Sequence, residues 1–312
     1  MSDVCPVEKP VNPPAGRRVV PAGARAALLV ACLFWAASFV ATKVALAAAP
    51  PLTVVTLRLL VSAACFAVWF AVRRRRFSPV TRADGWRLVW LSLFGTGLHY
   101  GIQTVGLQYT TASNGSVYAV TGPLTITLLA VIFLGERLTW RKTAGIALAL
   151  TGVLVVIGVE TLLAFDLTGH LLGDLLVFAS IFMWGVFTVL GKDTMQRLDA
   201  LELTARVTFI GAAYMIPASV AEMVARGWSP ARLDLGAGAA IAFLGVTCSF
   251  LATLLYFFAL ERTESQKAGV YFYTIPPLTY VMAWLWLGEQ IGLNLVMGVL
   301  LVLVGVYLTE RG

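Results

Sequence analysis

The sequence predicts an all-α, multi-pass membrane protein, with ten transmembrane helices built from two inverted five-helix repeats around a central cavity. Three observations predict it. Of 312 residues, 59% are hydrophobic and 12% charged, against about 25% charged in a soluble domain. The apolar residues gather in runs near the ~20 residues that a bilayer-spanning helix needs. The two halves of the chain also align with each other. Ten spans take about 200 residues, which leaves no room for a sizeable soluble domain. A cytosolic enzyme, a nucleic-acid binder and a disordered chain are excluded.

Residues 1–25 are polar and Pro-rich and read as a cytoplasmic tail. The first run, 26–47, exceeds the roughly 7–15 apolar residues of a cleaved signal and ends at Lys43, so it is expected to be a retained span. Pro50-Pro51 turns the chain into a second span, 52–72, and Arg73–Arg76 follows as a stop signal beside anionic headgroups. Spans 86–108 and 111–134 meet at Thr110-Thr111, and 142–159 completes a first repeat over 26–159. Residues 160–170 form a periplasmic linker, and spans 171–191, 201–225, 236–260, 266–287 and 291–309 make a second repeat over 171–309. Such short connections make successive helices antiparallel neighbours. The runs are too long and too continuously apolar for barrel strands of about ten alternating residues.

Lys and Arg fix the orientation. With the N-terminus inside, 18 of them face the cytoplasm and 3 the opposite side, with Arg58 and Arg206 inside spans. The positive-inside rule then puts both termini in the cytoplasm of a bacterial inner membrane. This clustering accounts for the net charge of +7 without a nucleic-acid partner. Cys5, Cys32, Cys65 and Cys248 stand singly and read as packing residues, with no disulfide, metal or cofactor expected.

A shift of 153 residues lays 107–153 on 260–306 without a gap and with 15 identities. Tyr118, Thr121 and Pro123 match Tyr271, Thr274 and Pro276, and Leu134-Gly135-Glu136 matches Leu287-Gly288-Glu289. A shift of 148–149 pairs Trp35, Lys43 and Arg58 with Trp184, Lys192 and Arg206. Shared hydrophobicity does not explain matched Pro, Glu, Gly and Trp in one register. Five spans per repeat is an odd number, so the second half is inverted relative to the first. Inverted repeats mark secondary transporters that hold substrate near the midplane.

The segments WAASFVATK (35–43) and WGVFTVLGK (184–192), with ALERTESQKAGVYFYTIPPLTYVMAWLWLGEQ (259–290) and its counterpart ending FLGERL, resemble the EamA repeat family of the drug/metabolite transporter superfamily. The resemblance spans nearly all of 26–309, and is nearest to the bacterial aromatic amino-acid exporters of that family. It implies alternating-access export, with the fifth and tenth helices peripheral. The chain has Asn114 in the first repeat where the second has Lys267, so the cavity is expected to be asymmetric.

Side chains at i, i+3, i+4 and i+7 share one helix face. Trp35, Ser38, Phe39 and Thr42 do so in the first helix, and Thr96, His99, Tyr100 and Gln103 in the third. Asn114, Tyr118, Thr121 and Thr125 line the fourth, Trp184 and Thr188 the sixth, Ser249, Thr253 and Tyr256 the eighth, and Lys267, Tyr271 and Thr274 the ninth. A single Ser or Thr most often makes an interhelical hydrogen bond of about 0.6 kcal/mol. Stripes on repeat-related helices point instead to a shared aqueous cavity, because polar atoms facing lipid are costly. The candidate substrate-binding residues are therefore Trp35, Ser38, Thr42, His99, Tyr100, Gln103, Asn114, Tyr118, Trp184, Tyr256, Lys267 and Tyr271. Pro123 and Pro276-Pro277 are expected to kink the fourth and ninth helices and free carbonyls.

Gly145 and Gly152, like Gly298 and Gly305, recur at seven residues and predict close helix packing, as scaffold or dimer contact. Arg58 and Arg206 lie near helix ends and are expected to snorkel. Every Asp and Glu falls in a tail, a loop or an end turn, which favours facilitated diffusion or exchange over proton pumping. No HExxH motif, intramembrane acid pair or Gly-x-Ser-x-Gly elbow supports a membrane enzyme. The expected partners are lipid and a small-molecule cargo: neutral amino acids such as Phe, Trp and Tyr, or alternatively nucleosides, sugars or drugs. Monomer and homodimer remain open at this level.

Overall fold

The computed structural model describes residues 20–125, 129, 139–157, 170–195, 197–263, 268–290 and 292–311. All secondary structure among them is helical. In chain order the helices are α1 (Ala22–Leu46), α2 (Pro51–Val72) and α3, which runs as Arg82–Ser92, a π turn Leu93–Leu98 and His99–Tyr109. There follow α4 (Ala112–Ala119, resuming over 122–125), α5 (Trp140–Ile157), α6 (His170–Thr194) and α7 (Ala200–Arg226). Helix α8 runs as Leu235–Phe243, a π turn Leu244–Ala252 and Thr253–Leu260. Helix α9 begins as a 3-10 turn, Val270–Thr274, before Ile275–Leu287, and α10 is Leu293–Arg311.

Five of the described helices are long and apolar enough to cross a membrane: Ala22–Leu46, Pro51–Val72, His170–Gly191, Ala200–Arg226 and Leu235–Leu260. Thr143–Val156 and Leu293–Gly305 are shorter apolar stretches. Much of the fourth expected span, Lys267 at the start of the ninth, and the 160–170 linker (His170 apart) lie outside the described residues.

The helix ends follow from local chemistry. A helix leaves its first N–H and last C=O groups without intrahelical partners. Side chains of Thr81, Thr111, Asp199 and Asp234 accept from the backbone N–H of Asp84, Asn114, Glu202 and Ala237. Acids from elsewhere in the bundle cap others. Glu222 accepts from Thr53 N at 2.9 Å, and Glu289 from Ala112 N and Ser113 N at 2.8 and 3.0 Å. Glu261 accepts from Ala200 N at 2.5 Å. At the opposite polarity, Lys43 Nζ donates to the Leu107 and Thr110 carbonyls closing α3, each at 2.9 Å. These charges complement helix dipoles, which is why ionisable residues gather at the two ends of the bundle.

Helix α1 packs on α8, as α6 packs on α3; α2 packs on α7, α4 on α9, and α5 on α10. The α5–α10 contact depends on glycine. A Cβ on Gly152 would lie 2.7 Å from both the Gly298 carbonyl oxygen and the Val302 nitrogen. Leu150 and Leu154 on α5 and Leu300 and Val304 on α10 are exposed, so this pair turns an apolar face outward.

The prolines sit at helix breaks. Pro276 and Pro277 occupy the first turn after the 3-10 segment, where a missing N–H costs nothing. In α4 the ladder tightens to Val120 N–Val117 O and Thr121 N–Tyr118 O, 3.1 and 2.9 Å, just ahead of Pro123. Each break thus comes two or three residues before the proline, not at it.

Candidate functional site

A cavity of about 50 Å³, room for a few water molecules, lies in the middle of the bundle. Seven of the residues in the sequence stripes line it: Trp35, Ser38 and Phe39 from α1, His99, Tyr100 and Gln103 from α3, and Trp184 from α6. Residues the stripes did not single out complete the wall, chiefly Arg58, Phe272, Ile181 and Ile275.

The aromatic side of the wall is a packed cluster. The Trp35 ring centroid lies 5.3 Å from Trp184, 5.3 Å from Tyr256 and 5.6 Å from Phe272, mostly edge to face. Trp184 also lies 5.1 Å from His99 and 5.2 Å from Phe187. Edge-to-face pairs at such distances are the favoured aromatic geometry.

The polar side is sparser. His99 Nδ1 is 2.9 Å from the Ser180 carbonyl oxygen. That oxygen has no hydrogen to give, so Nδ1 carries a proton, and in the neutral tautomer this sets, Nε2 keeps a lone pair. Ser38 Oγ donates to the Trp35 carbonyl at 2.6 Å. The Gln103 amide is buried and makes no hydrogen bond to a described residue, so both its donor and its acceptor are available.

Other expected residues lie elsewhere. Tyr256 is 1% exposed and supports Trp35 and Trp184 from behind, and Tyr118 is sealed at 0% in the main core. Thr42 is buried beyond the cavity, and Tyr271 is half-buried against the core. Asn114 sits in the first turn of α4, its backbone N donating to Thr111 Oγ1 at 3.0 Å. Thr96, in the π turn, lies against α7, with its hydroxyl 3.0 Å from that of Tyr214.

Arg58 is the main correction. Expected to snorkel, it is 2% exposed, about 10 Å along α2 from the Pro51 end. Its seven-residue distance from the end is too great for the side chain to leave a wall formed by α3 and α8. Arg206 behaves as expected of an end residue, pairing with Glu202 at 2.7 Å.

The EamA-like transporter family model matches the chain twice, over residues 24–158 and 171–311. The chain belongs to the EamA-like transporter family. A protein of Archaeoglobus fulgidus described as an uncharacterized transporter is 30% identical over 282 residues, 90% of this chain and 95% of its own. A protein of Streptantibioticus cattleyicolor described as a probable terminal-alkyne amino-acid exporter is 26% identical over 288 residues, 91% and 92% of the two chains. A solved crystal structure shares the fold, with a TM-score of 0.64 at 18% identity over 92% of this chain and 97% of that one. This EamA-family member is thus a multi-pass membrane transporter of small molecules. Its cavity offers flat aromatic surface together with a cation, an amide and an imidazole.

Proposed function

We propose that this transporter exports neutral amino acids, preferring aromatic or large apolar ones, across the bacterial inner membrane by alternating access. The observation that carries the proposal is the mixed lining of one cavity: Trp35, Trp184 and Phe272 together with His99, Tyr100 and Gln103. A flat side chain stacks on the first group, and a zwitterionic backbone meets hydrogen-bonding groups on the second. The cavity as it stands is smaller than an aromatic amino acid, so loading requires the two halves to part.

Ten spans in two inverted repeats, 26–159 and 171–309, give that motion an axis. The pairings support this reading: α2 with α7, α4 with α9 and α5 with α10 each join a helix to its repeat-related partner. The charge distribution supports cytoplasmic termini and a periplasmic 160–170 linker. Of the remaining candidates, Asn114, Tyr118 and Tyr271 meet cargo only when α4 and α9 swing about their breaks, while Thr42 and Tyr256 back the wall. The family relationship to a named amino-acid exporter supports the cargo class.

The test is flux from proteoliposomes holding the full chain, with a panel of amino acids, nucleosides and sugars. Phenylalanine and tryptophan should leave fastest. Faster flux of a nucleoside or sugar overturns the cargo assignment and keeps the transporter.

A further inference from the structure

Burying a guanidinium costs several kcal/mol of lost hydration, and it cannot escape by losing its proton. Arg58 nevertheless sits sealed in the cavity wall. Its Nε donates to Ser249 Oγ at 2.9 Å, and its Cζ stands 4.2 Å above the centre of the Tyr100 ring. These contacts offset part of the cost, since a desolvated cation–π pair is worth about 2 kcal/mol. Neither supplies a negative charge. None of the ion pairs among the described residues involves Arg58, and neither Nη nitrogen hydrogen bonds to a described residue.

Two other buried charges have counter-ions, and a half-buried one has carbonyls. Glu202 is paired with Arg206, Asp84 with Arg197, and Lys43 is held by two carbonyls. Among the described residues, Arg58 is the buried cation that lines the cavity. We propose that Arg58 anchors the carboxylate of the cargo, so that the transported class is defined by a carboxylate joined to a large apolar group, with the ammonium secondary. The inference deepens the amino-acid reading above and rests on it.

The two ends of a zwitterion meet unequal partners. The carboxylate finds a planar fork that suits two parallel, charge-assisted hydrogen bonds. The ammonium finds neutral acceptors only, His99 Nε2 and the Gln103 carbonyl, on the same wall. Tyr100 beneath and Ser249 at Nε fix the plane of the fork, so they are positioning residues.

The experiment is counterflow of labelled phenylalanine in proteoliposomes, inhibited by unlabelled phenylalanine, 3-phenylpropanoate or 2-phenylethylamine. In the parent protein 3-phenylpropanoate should compete within about tenfold of phenylalanine, and the amine about 100-fold more weakly, as a lost charge-assisted pair implies. Arg58→Gln should weaken both carboxylates by about 10–100-fold and leave the amine unchanged; Arg58→Lys should fall between.

The inference is overturned if the amine matches phenylalanine on the parent protein, a comparison that needs no variant. It is also overturned if Arg58→Gln shifts all three ligands by one factor, the mark of a purely structural tie between α2 and α8. If phenylalanine is not carried at all, the cargo reading fails separately. Thermal stabilisation of detergent-solubilised protein by aliphatic and aromatic carboxylates then decides the anchor: loss of that stabilisation in Arg58→Gln supports it, and its absence in the parent refutes it.

Discussion

Helices α5 and α10 run as unbroken α-helices through Trp140–Ile157 and Leu293–Arg311. Helices α3 and α8 each change pitch midway, at Leu93–Leu98 and at Leu244–Ala252. The first pair meets through glycine backbones and turns apolar side chains outward. The second pair carries His99, Tyr100 and Gln103 just after one π turn and Ser249 within the other. π turns gather at functional sites because the wider turn redirects side chains and loosens the ladder. The difference separates two jobs: a tight seam that holds repeat-related helices together, and irregular helices that shape the cavity.

The largest expected effect tests the seam. In Gly152→Leu the new side chain meets the α10 backbone, 2.7 Å from the Gly298 oxygen, and backbone cannot swing aside. Overpacking of this kind costs roughly 3 kcal/mol. The yield of monodisperse protein should collapse, whereas Gly23→Ala, with nothing within 4 Å, should behave as the parent. Normal yield and melting of Gly152→Leu would remove the seam from its structural role. The next effect tests the cavity. His99→Ala and Gln103→Ala should each lose about 90% of amino-acid flux, as the loss of one hydrogen bond worth about 1.4 kcal/mol implies. Both variants should still fold and insert, with His99→Ala also melting lower because its ring packs on Trp184 and bonds the Ser180 carbonyl. Parental flux in both variants would mean that cargo does not touch the polar side of the wall.

Sequence reading reached these regions unequally, for physical reasons. Glycines seven apart mark a tight face whether or not the partner is known, so the packing of Gly152 and Gly298 was legible. The stripe rule found Trp35, Ser38, Phe39, His99, Tyr100, Gln103 and Trp184. A stripe gives a face, not what the face meets, and a residue behind an aromatic cluster repeats like one in front of it. Tyr256 and Tyr118 lie buried off the cavity lining in that way. No residue type announces a π turn, which shifts the helical phase; hence Thr96, in register with His99 by counting, faces Tyr214 on α7. Arg58 was readable by a simpler signal, a lone cation inside an apolar run, but its distance from the helix end suggested escape to the surface.

The smallest effect compares one chemical change in both regions. Thr96 and Thr151 each send a hydroxyl back to the carbonyl one turn earlier, Ser92 at 2.6 Å and Ala147 at 2.9 Å. On the exposed face of α5 that bond is the whole story, so Thr151→Val should shift stability by less than about 0.5 kcal/mol and leave flux unchanged. In the π turn the Ser92 carbonyl also accepts from Tyr214 Oη at 2.7 Å, and Ser92 Oγ donates to the Val207 carbonyl at 2.8 Å. Thr96→Val removes one member of this buried set and should cost about 1 kcal/mol. Because the set ties α3 to α7 one turn before His99, flux should fall by a few-fold as well. Melting curves and phenylalanine flux on the two variants read both quantities. Equal loss of flux from Thr151→Val would mean that α5 moves with the cavity, and the contrast between seam and site would not hold.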